Sequence, residues 1–240
     1  MDQKTLPDCQ VWFDGALLSE CDAASAFEPV FWEQNSKVIG SARGRGITLF
    51  VQGERLPMAL RHYHRGGLFG KLVSDQYWFS GWKNTRCYQE FVLLRHLRES
   101  GVNVPQPVAA KASKAGLLSY RADILVELIQ NAKDLVKVLA DTDLTPHIWF
   151  AIGKEVAKMH HAGVCHTDLN AHNILLDDNN RVWLIDFDKC GLRKGNSWKQ
   201  TNLNRLLRSF LKEKSKAGIK FDEANHWGWL VDGYRSSGFK

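Results

Sequence analysis

The sequence predicts an α+β fold with two lobes, an N-terminal lobe built on an antiparallel sheet with one helix and a C-terminal lobe that is mainly helical. Three features of the 240-residue chain support this prediction. Strand-like segments dominate its first half, and segments with helical spacing dominate its second half. A loop rich in Asp, Asn and His leads into a short hairpin in the second half. Strands that come first and helices that follow are typical of α+β proteins.

The N-terminal lobe is expected over residues 37–128, after an extension, residues 1–36, that looks irregular. The first strands start with the glycine-containing stretch from Val38 to Gly46 and continue from Ile47 to Val51. Arg55 to His64 alternates apolar and polar side chains, which is the period of a strand with one buried face. These segments predict an antiparallel hairpin.

One helix and two further strands complete this lobe. Asn84 or Thr85 can cap the first turn of the helix, its apolar residues recur at helical spacing, and Gly101 ends it. The two strands are expected from Val108 to Ala112 and from Ala122 to Leu128.

The C-terminal lobe is expected over residues 129–240. A helix with one apolar face starts near Pro146 and ends at Gly163. A second helix, Asn202 to Lys216, has an apolar stripe, while Arg and Lys occupy much of its remaining surface. The stripe can pack into the core of the lobe or lie on an anionic membrane, and the sequence leaves both readings open.

Between these helices the sequence predicts a loop that enters a hairpin. Leu169 to Leu176 runs into the first strand, an Asp-Asn turn follows, and Arg181 to Ile185 returns as the second strand. This hairpin is expected to bring Asp168, Asn173 and Asp186 together at one end.

The order of these three residues favours phosphoryl transfer, a reaction that depends on positioning and charge neutralisation. Asp168 would orient the attacking hydroxyl. Asn173 follows five residues later and Asp186 thirteen residues after that. Both carry hard oxygen donors that suit magnesium, which keeps water and phosphate oxygens in its other positions.

Three segments resemble protein-kinase-like enzymes and, more closely, the small lipopolysaccharide kinases that act on 3-deoxy-D-manno-octulosonic acid (Kdo). They are Leu60 to Leu68, His166 to Asn173 and Ile185 to Lys189. The resemblance covers most of residues 35–210. It implies a bilobal protein-kinase-like fold, formed by a single domain over residues 1–240, with ATP and Mg²⁺ as cofactors.

The resemblance also points to the cation that would bind the nucleotide phosphates. Kinase-like enzymes usually place a lysine on the third strand and pair it with a glutamate of the following helix. Here Arg61 holds that strand position and Glu90 lies in the helix. An arginine can contact a phosphate and a carboxylate at once. Lys71 is the alternative cation, and Gly66 to Gly70 is expected to be a mobile flap.

Backbone groups are expected to complete the nucleotide contacts. The glycines Gly40, Gly44 and Gly46 would let backbone amides approach the phosphates. The stretch from Glu127 to Ile129 falls where a kinase-like hinge would offer backbone groups to adenine. Plain turns and a buried strand end are the structural alternatives at these two places.

The resemblance implies the 4-hydroxyl of a Kdo residue on a lipid A precursor as acceptor, at the cytoplasmic face of the inner membrane. The protein would be peripheral there, in contact with an anionic membrane surface. Five basic residues are expected to contact acidic groups of the acceptor: His64, Arg65, Lys71, Lys83 and Arg86.

Composition is consistent with acidic partners but does not choose among them. The formal net charge is +6 and the isoelectric point is near 9.1, which favours nucleic acid, anionic lipid or a phosphorylated substrate. Because no nucleic-acid-binding motif accompanies the charge, a nucleic-acid partner is not expected. Oligomeric state stays open.

Other functions fit parts of the same pattern. A heptose kinase or a small protein kinase of the same fold would show the same loop and the same later aspartate. A non-catalytic, basic, membrane-binding protein on a kinase-like fold is the alternative outside the enzymes. Intact Asp168, Asn173 and Asp186 favour a catalyst over such a binding protein.

Overall fold

The computed structural model describes residues 1–44, 46–65 and 75–238, and the chain divides into two compact units. The N-terminal unit comprises Met1–Val92 and Gln106–Leu128, and the C-terminal unit comprises Leu93–Pro105 and Ile129–Lys240. The change of unit after Leu128 coincides with the lobe boundary expected from the sequence. The segment Leu93–Pro105 departs from that expectation, since it belongs to the C-terminal unit.

An antiparallel sheet forms the N-terminal unit. Within the described residues it has eight strands, in the order β1-β2-β7-β8-β5-β4-β3, with β6 paired to β8. In chain order the strands are β1 (Asp2–Leu6), β2 (Cys9–Phe13), β3 (Val38–Arg43), β4 (Ile47–Gln52), β5 (Pro57–His62), β6 (Tyr77–Trp78), β7 (Pro107–Lys114) and β8 (Ser119–Glu127). The hairpin and the two later strands expected from the sequence are therefore present.

Two α-helices accompany this sheet within the described part of the chain, where the sequence predicted one. Helix α1 (Pro29–Gln34) was not predicted, whereas α2 (Arg86–Glu99) begins directly after Thr85, as expected. Cys87 and Phe91 of α2 are fully buried.

The expectation of irregular structure for residues 1–36 was wrong. Strand β2 pairs with β7, with Cys9 opposite Ser113 and Phe13 opposite Ala109. Val11 and Phe13 of β2 belong to the hydrophobic core of the unit. The strand escaped prediction because its partner lies about a hundred residues away along the chain, beyond any local pattern.

The C-terminal unit is mainly helical, as predicted. Its helices are α3 (Leu135–Asp141), α4 (Pro146–His161), α5 (Ser197–Ala217) and α6 (Gly228–Ser236). Its short strands are β9 (Ala132–Asp134), β10 (Val164–Cys165), β11 (Ile174–Asp177), β12 (Val182–Leu184) and β13 (Gly191–Leu192). A Cβ on Gly153 would lie 1.9 Å from the Leu230 carbonyl oxygen, and one on Gly233 would lie 2.0 Å from that of Phe150. Glycine at both positions thus lets α4 and α6 pack backbone to backbone.

Helix α5 places its apolar stripe in the core of this unit. Leu203, Leu206 and Phe210 are all at most 5% exposed, and the Phe210 ring stacks on that of Phe221 at 4.9 Å between centroids. The core alternative for this helix is therefore the observed one, and the helix begins five residues earlier than expected, at Ser197. In the described part of the chain, no helix is both long enough and apolar enough to cross a membrane.

Candidate active site

The segment from His166 to Asn173, called the catalytic loop below, forms a capped turn between β10 and β11. The Asn170 side-chain oxygen accepts hydrogen bonds from the backbone N–H groups of His172 and Asn173, at 2.9 and 3.2 Å. This Asn motif satisfies backbone donors that the tight turn leaves without strand partners. It thereby sets where Asn173 leaves the turn and enters β11.

The structure brings Asp168, Asn173 and the residue before Asp186 into one hydrogen-bonded group. Asn173 Nδ2 donates to the Asp168 carbonyl at 3.0 Å, and the Ile185 N–H donates to the Asn173 carbonyl at 3.0 Å. Asp186 then turns out of the strand with φ of 63°, a left-handed conformation that is uncommon for residues other than glycine. Such outliers persist where the surrounding structure enforces them, often at functional sites.

His166 supports this group from the interior of the unit. Its Nδ1 accepts from the Asp168 N–H at 3.2 Å, so its Nε2 carries the proton that is donated to the Ile185 carbonyl at 2.9 Å. The ring is fully buried and packs edge-on against Phe187. Burial lowers the pKa of His166, which keeps the ring neutral and both bonds in place.

A chain of buried polar groups that the sequence did not predict extends this support to α6. The Tyr234 hydroxyl donates to His160 Nδ1 at 2.7 Å, and His160 Nε2 donates to Asn202 Oδ1 at 3.0 Å. Asn202 Nδ2 then donates to the His166 carbonyl at 2.7 Å. The catalytic loop is thus tied to three helices, α4, α5 and α6. Because the two partners of each bond lie far apart in the sequence, residue spacing alone could not predict this chain of hydrogen bonds.

We expect the unfolding free energy to fall by about 2 kcal/mol between roughly pH 7.5 and pH 5 on account of His160. Burial lowers the pKa of His160 from 6.5 to about 4. In the unfolded chain His160 therefore becomes protonated below about pH 6.5, whereas in the folded chain it stays neutral until about pH 4. His160 thus contributes stability above pH 6.5 that is lost as pH falls toward 4.

Urea unfolding at the two pH values tests this expectation. His160→Gln should flatten the pH dependence, while His147→Gln, which alters an exposed histidine of the same helix, should keep the wild-type dependence. An unchanged dependence in His160→Gln would contradict the assignment.

Helix α5 also contributes a cation that the sequence did not identify as a site residue. Arg205 Nη1 lies 3.2 Å from Asp168 Oδ1, and both side chains are about half exposed, at 49% and 55%. The guanidinium attracts the carboxylate and restricts its orientation. Arg205 is therefore a positioning residue for Asp168.

The donor set at the loop fits a magnesium ion held with the help of substrate. The bond from Asn173 Nδ2 leaves its Oδ1 atom for a ligand, and Asp186 supplies a carboxylate. Two hard oxygen donors are enough for Mg²⁺, which commonly binds one or two protein oxygens together with phosphates and water. No group of three or more His, Cys, Asp or Glu suited to a metal occurs in the described ranges.

In the N-terminal unit, Arg61 and Glu90 form the ion pair that the sequence predicted. Arg61 Nη2 lies 2.6 and 2.7 Å from the two carboxylate oxygens of Glu90. The Tyr63 hydroxyl donates to Glu90 Oε2 at 2.5 Å, and its ring lies 5.0 Å from the Arg61 guanidinium. Glu90 is 4% exposed whereas Arg61 is 30% exposed, so the buried carboxylate anchors a cation that still reaches solvent.

Tyr63→Phe should raise KM for ATP a few-fold and lower the unfolding free energy by about 1 kcal/mol, because the Glu90 carboxylate loses a buried donor. Steady-state kinetics and urea unfolding measure the two effects. Tyr88→Phe on α2 is the matched control, since the Tyr88 hydroxyl makes no hydrogen bond to any described residue. Equal behaviour of the two variants would contradict a positioning role for Tyr63.

The glycines predicted to contact phosphates lie along the β3–β4 hairpin. They differ in their backbone hydrogen bonds and in the space around their Cα atoms. The Gly44 N–H donates to the Gly46 carbonyl at 2.9 Å, so this donor closes the hairpin instead of facing a ligand. A Cβ on Gly46 would lie 2.2 Å from the His64 ring, so a side chain there would require that ring to move. Gly40 lies within β3, where its Cβ would meet Phe50. The structure therefore does not support a phosphate-binding role for the Gly44 amide.

At the expected hinge, two of the three backbone donors are used by the sheet. The Glu127 N–H donates to the Gln106 carbonyl and the Leu128 N–H to that of Pro57. The Ile129 N–H makes no hydrogen bond to any residue the structure describes. Ile129 thus offers the donor that adenine recognition would need.

The residues predicted to contact the acceptor lie in the N-terminal unit. Arg86 and Arg65 lie over the Tyr77 ring, 4.5 and 5.6 Å from its centroid, and His64 makes a ring contact with His62. Lys83 is exposed. Lys71 and the flap from Gly66 to Gly70 lie outside the described residues, so Arg61 is the predicted phosphate-binding cation that the structure describes.

The chain is similar to known proteins over most of its length. The family model described as "Lipopolysaccharide kinase (Kdo/WaaP) family" matches residues 30–234. A 3-deoxy-D-manno-octulosonic acid kinase of Photobacterium profundum is 57% identical over 98% of both chains. The enzyme of that name from Vibrio cholerae serotype O1 is 58% identical over 91% of this chain and 93% of its own length.

Solved structures show the same fold. "WaaP in complex with acyl carrier protein" superposes with a TM-score of 0.53 at 18% identity, covering 93% of this chain and 98% of that one. A glucosamine kinase superposes with a TM-score of 0.50 at 14% identity, covering 83% of this chain and 66% of that one. The expected kinase-like fold is confirmed.

Proposed function

Because the chain belongs to the lipopolysaccharide kinase (Kdo/WaaP) family, we propose that it transfers the γ-phosphoryl group of ATP to the 4-hydroxyl of a Kdo residue on a lipid A precursor. One observation carries the proposal. Asp168, Asn173 and the start of the Asp186 turn form one hydrogen-bonded group, in a chain 57% identical to a protein named for Kdo phosphorylation.

Asp168 is the residue that would receive the acceptor. Its carboxylate is about half exposed and held by Arg205, so it can accept a hydrogen bond from a hydroxyl and take up its proton as the bond to phosphorus forms. The His166 bond to its backbone N–H fixes the residue in the loop. Proton acceptance and orientation thus come from one carboxylate.

Asn173 and Asp186 are the residues that would hold Mg²⁺. The ion would neutralise charge on the phosphates of the nucleotide. Asn173 fits this role because its side-chain nitrogen is hydrogen-bonded to the Asp168 carbonyl. This bond fixes the orientation of the amide, and its oxygen remains as the metal ligand. Asp186 fits it because its carboxylate is a hard oxygen donor on a left-handed residue, with φ of 63°, that follows the second strand of the hairpin.

Arg61 would bind the nucleotide phosphates in the N-terminal unit. Glu90 and Tyr63 hold its guanidinium from the buried side, and the planar fork of an arginine can contact a carboxylate and a phosphate at once. The Ile129 N–H would donate to adenine.

We further propose that the protein works as a peripheral protein at the cytoplasmic face of the inner membrane. A lipid A precursor is a membrane lipid, so the enzyme must approach a bilayer to reach it. The net charge of +6 supports attraction to an anionic surface. Release from anionic vesicles by salt would test this location, and retention on neutral vesicles at high salt would contradict it.

A panel of acceptors tests the proposed function. The purified protein is incubated with Mg-ATP and, separately, a Kdo-containing lipid A precursor, a heptose-containing core sugar and a peptide mixture. Mass spectrometry should find one added phosphate on the Kdo acceptor alone. Phosphate on the heptose or the peptides, with none on Kdo, would overturn the acceptor in favour of another kinase of this fold.

A further inference from the structure

Three cations form a stripe on α5, the helix that packs against the catalytic loop. Arg205, Arg208 and Lys212 are exposed, and their spacing of three and four residues places them on one face of an α-helix. The Ser209 hydroxyl accepts a hydrogen bond from the Ala171 N–H at 3.0 Å. This bond fixes the helix, and with it the stripe, relative to the catalytic loop.

The α5 stripe and Asp168 line one open cavity in the C-terminal unit. Its volume is about 460 Å³, within the range of roughly 300–1,000 Å³ that is common for small-molecule sites. A sugar residue in this cavity would lie next to the carboxylate that we propose orients the acceptor hydroxyl. The cavity is therefore the natural place for the acceptor.

The carboxylates of this cavity already have partners. Asp168 pairs with Arg205 at 3.2 Å, and Glu213, which is 5% exposed, lies 3.6 Å from His172 Nε2. Among residues 1–44, 46–65 and 75–238, no side chain forms an ion pair or hydrogen bond with the other two cations of the stripe. The cavity thus presents two cations that no described carboxylate neutralises.

We infer that Arg208 and Lys212 bind acidic groups of the acceptor, so that the α5 stripe selects an anionic sugar over a neutral one. The inference rests on the proposed function, because an octulosonic acid carries a carboxylate and its lipid precursor carries phosphates. Arginine binds either group through two parallel hydrogen bonds, and lysine binds them as a point charge. The two residues are separated by about 6 Å along the helix, a distance that one or two sugar residues span.

This assignment moves acceptor recognition away from the residues predicted from the sequence. Arg65 and Arg86 have their guanidinium groups over the Tyr77 ring, whereas the α5 stripe shares a cavity with Asp168. The sequence did not identify the α5 stripe as a binding site, because Arg and Lys are ordinary residues on the polar face of an amphipathic helix.

Charge-neutralising variants test the inference with a soluble, deacylated Kdo acceptor that removes the membrane from the assay. Arg208→Gln and Lys212→Gln should each raise KM for this acceptor about tenfold, which corresponds to about 1.4 kcal/mol. KM for ATP should change by less than about twofold. Lys214→Gln is the matched control, since it removes the same charge about 200° around the helix from Lys212, and it should keep the wild-type KM for the acceptor.

Modified acceptors identify the group that is bound. If the two cations bind the carboxylate, amidating that carboxylate should raise the acceptor KM of the wild-type protein about tenfold. It should leave the acceptor KM of the Arg208→Gln/Lys212→Gln double variant nearly unchanged. If they bind a phosphate, removing that phosphate should produce this pattern instead. Either pattern supports an anionic-acceptor site.

A different outcome would overturn the inference. If the double variant keeps its acceptor KM within about twofold of wild type but loses binding to vesicles of anionic phospholipid, the stripe serves the membrane and not the acceptor. An unchanged KM without any loss of vesicle binding overturns it as well.

Turnover by the wild-type protein separates this inference from the proposed function. If the wild type phosphorylates the acceptor and the double variant matches it, the inference alone fails. If the wild type phosphorylates no Kdo acceptor, the proposed function fails and the inference fails with it.

Discussion

Asp168→Asn is expected to lower kcat for phosphoryl transfer about a thousandfold, because the variant retains the shape of the side chain but cannot take up a proton from the acceptor hydroxyl. The fold should stay intact. The Asp168 side chain is 55% exposed and pairs with a half-exposed Arg205, and such surface pairs contribute at most about 1 kcal/mol to stability.

Turnover with Mg-ATP and Kdo acceptor, together with thermal unfolding, measures both effects. Asp178→Asn is the control, since it makes the same chemical change at an exposed turn between β11 and β12 and should leave kcat unaltered. If Asp168→Asn retained more than about a tenth of the wild-type kcat, Asp168 would not be the proton acceptor.

Arg61→Met is expected to reduce kcat/KM for ATP about a hundredfold and to lower the unfolding free energy by about 3 kcal/mol. The loss of stability follows from Glu90, whose carboxylate is 4% exposed and would lose its cation. The loss of activity follows from the proposed contact between Arg61 and the nucleotide phosphates. The two effects have different causes and can be separated.

The double variant Arg61→Met/Glu90→Leu separates them. Removing both partners of a buried pair can be nearly neutral, so the double variant should recover part of the lost stability, the remainder being the cost of the Tyr63 hydroxyl, which loses its Glu90 acceptor. It should not recover kcat/KM for ATP, since the phosphate-binding cation is still missing. Recovery of activity together with stability would show that Arg61 has only a structural role.

The catalytic loop could be predicted from the sequence because its geometry is local. Asp168 and Asn173 are separated by one turn that Asn170 closes through its own neighbours, and Asp186 follows after a hairpin of a few residues per strand. Short-range spacing was therefore enough to predict that Asp168 and Asn173 are hydrogen-bonded neighbours and that Asp186 follows a residue bonded to Asn173.

The contacts of Tyr63 and Arg205 could not be predicted from the sequence, because both depend on tertiary packing. Tyr63 meets Glu90 across 27 positions and Arg205 meets Asp168 across 37. Whether Arg205 faces solvent or the loop depends on how α5 is rotated, and buried bonds such as the one from Asn202 determine that rotation. The strands near the N-terminus escaped prediction for the same reason, since β2 pairs with the distant β7.

Transfer of a labelled phosphate tests the central claim most directly. The protein is incubated with ATP labelled in the γ-phosphate and a Kdo-containing lipid A precursor, with and without Mg²⁺, and ADP and labelled acceptor are counted. We expect one labelled phosphate on the 4-hydroxyl of Kdo for each ADP formed, only with Mg²⁺ present, and none with Asp168→Asn. ADP formed without label on the acceptor, or equal transfer by Asp168→Asn, would contradict the claim.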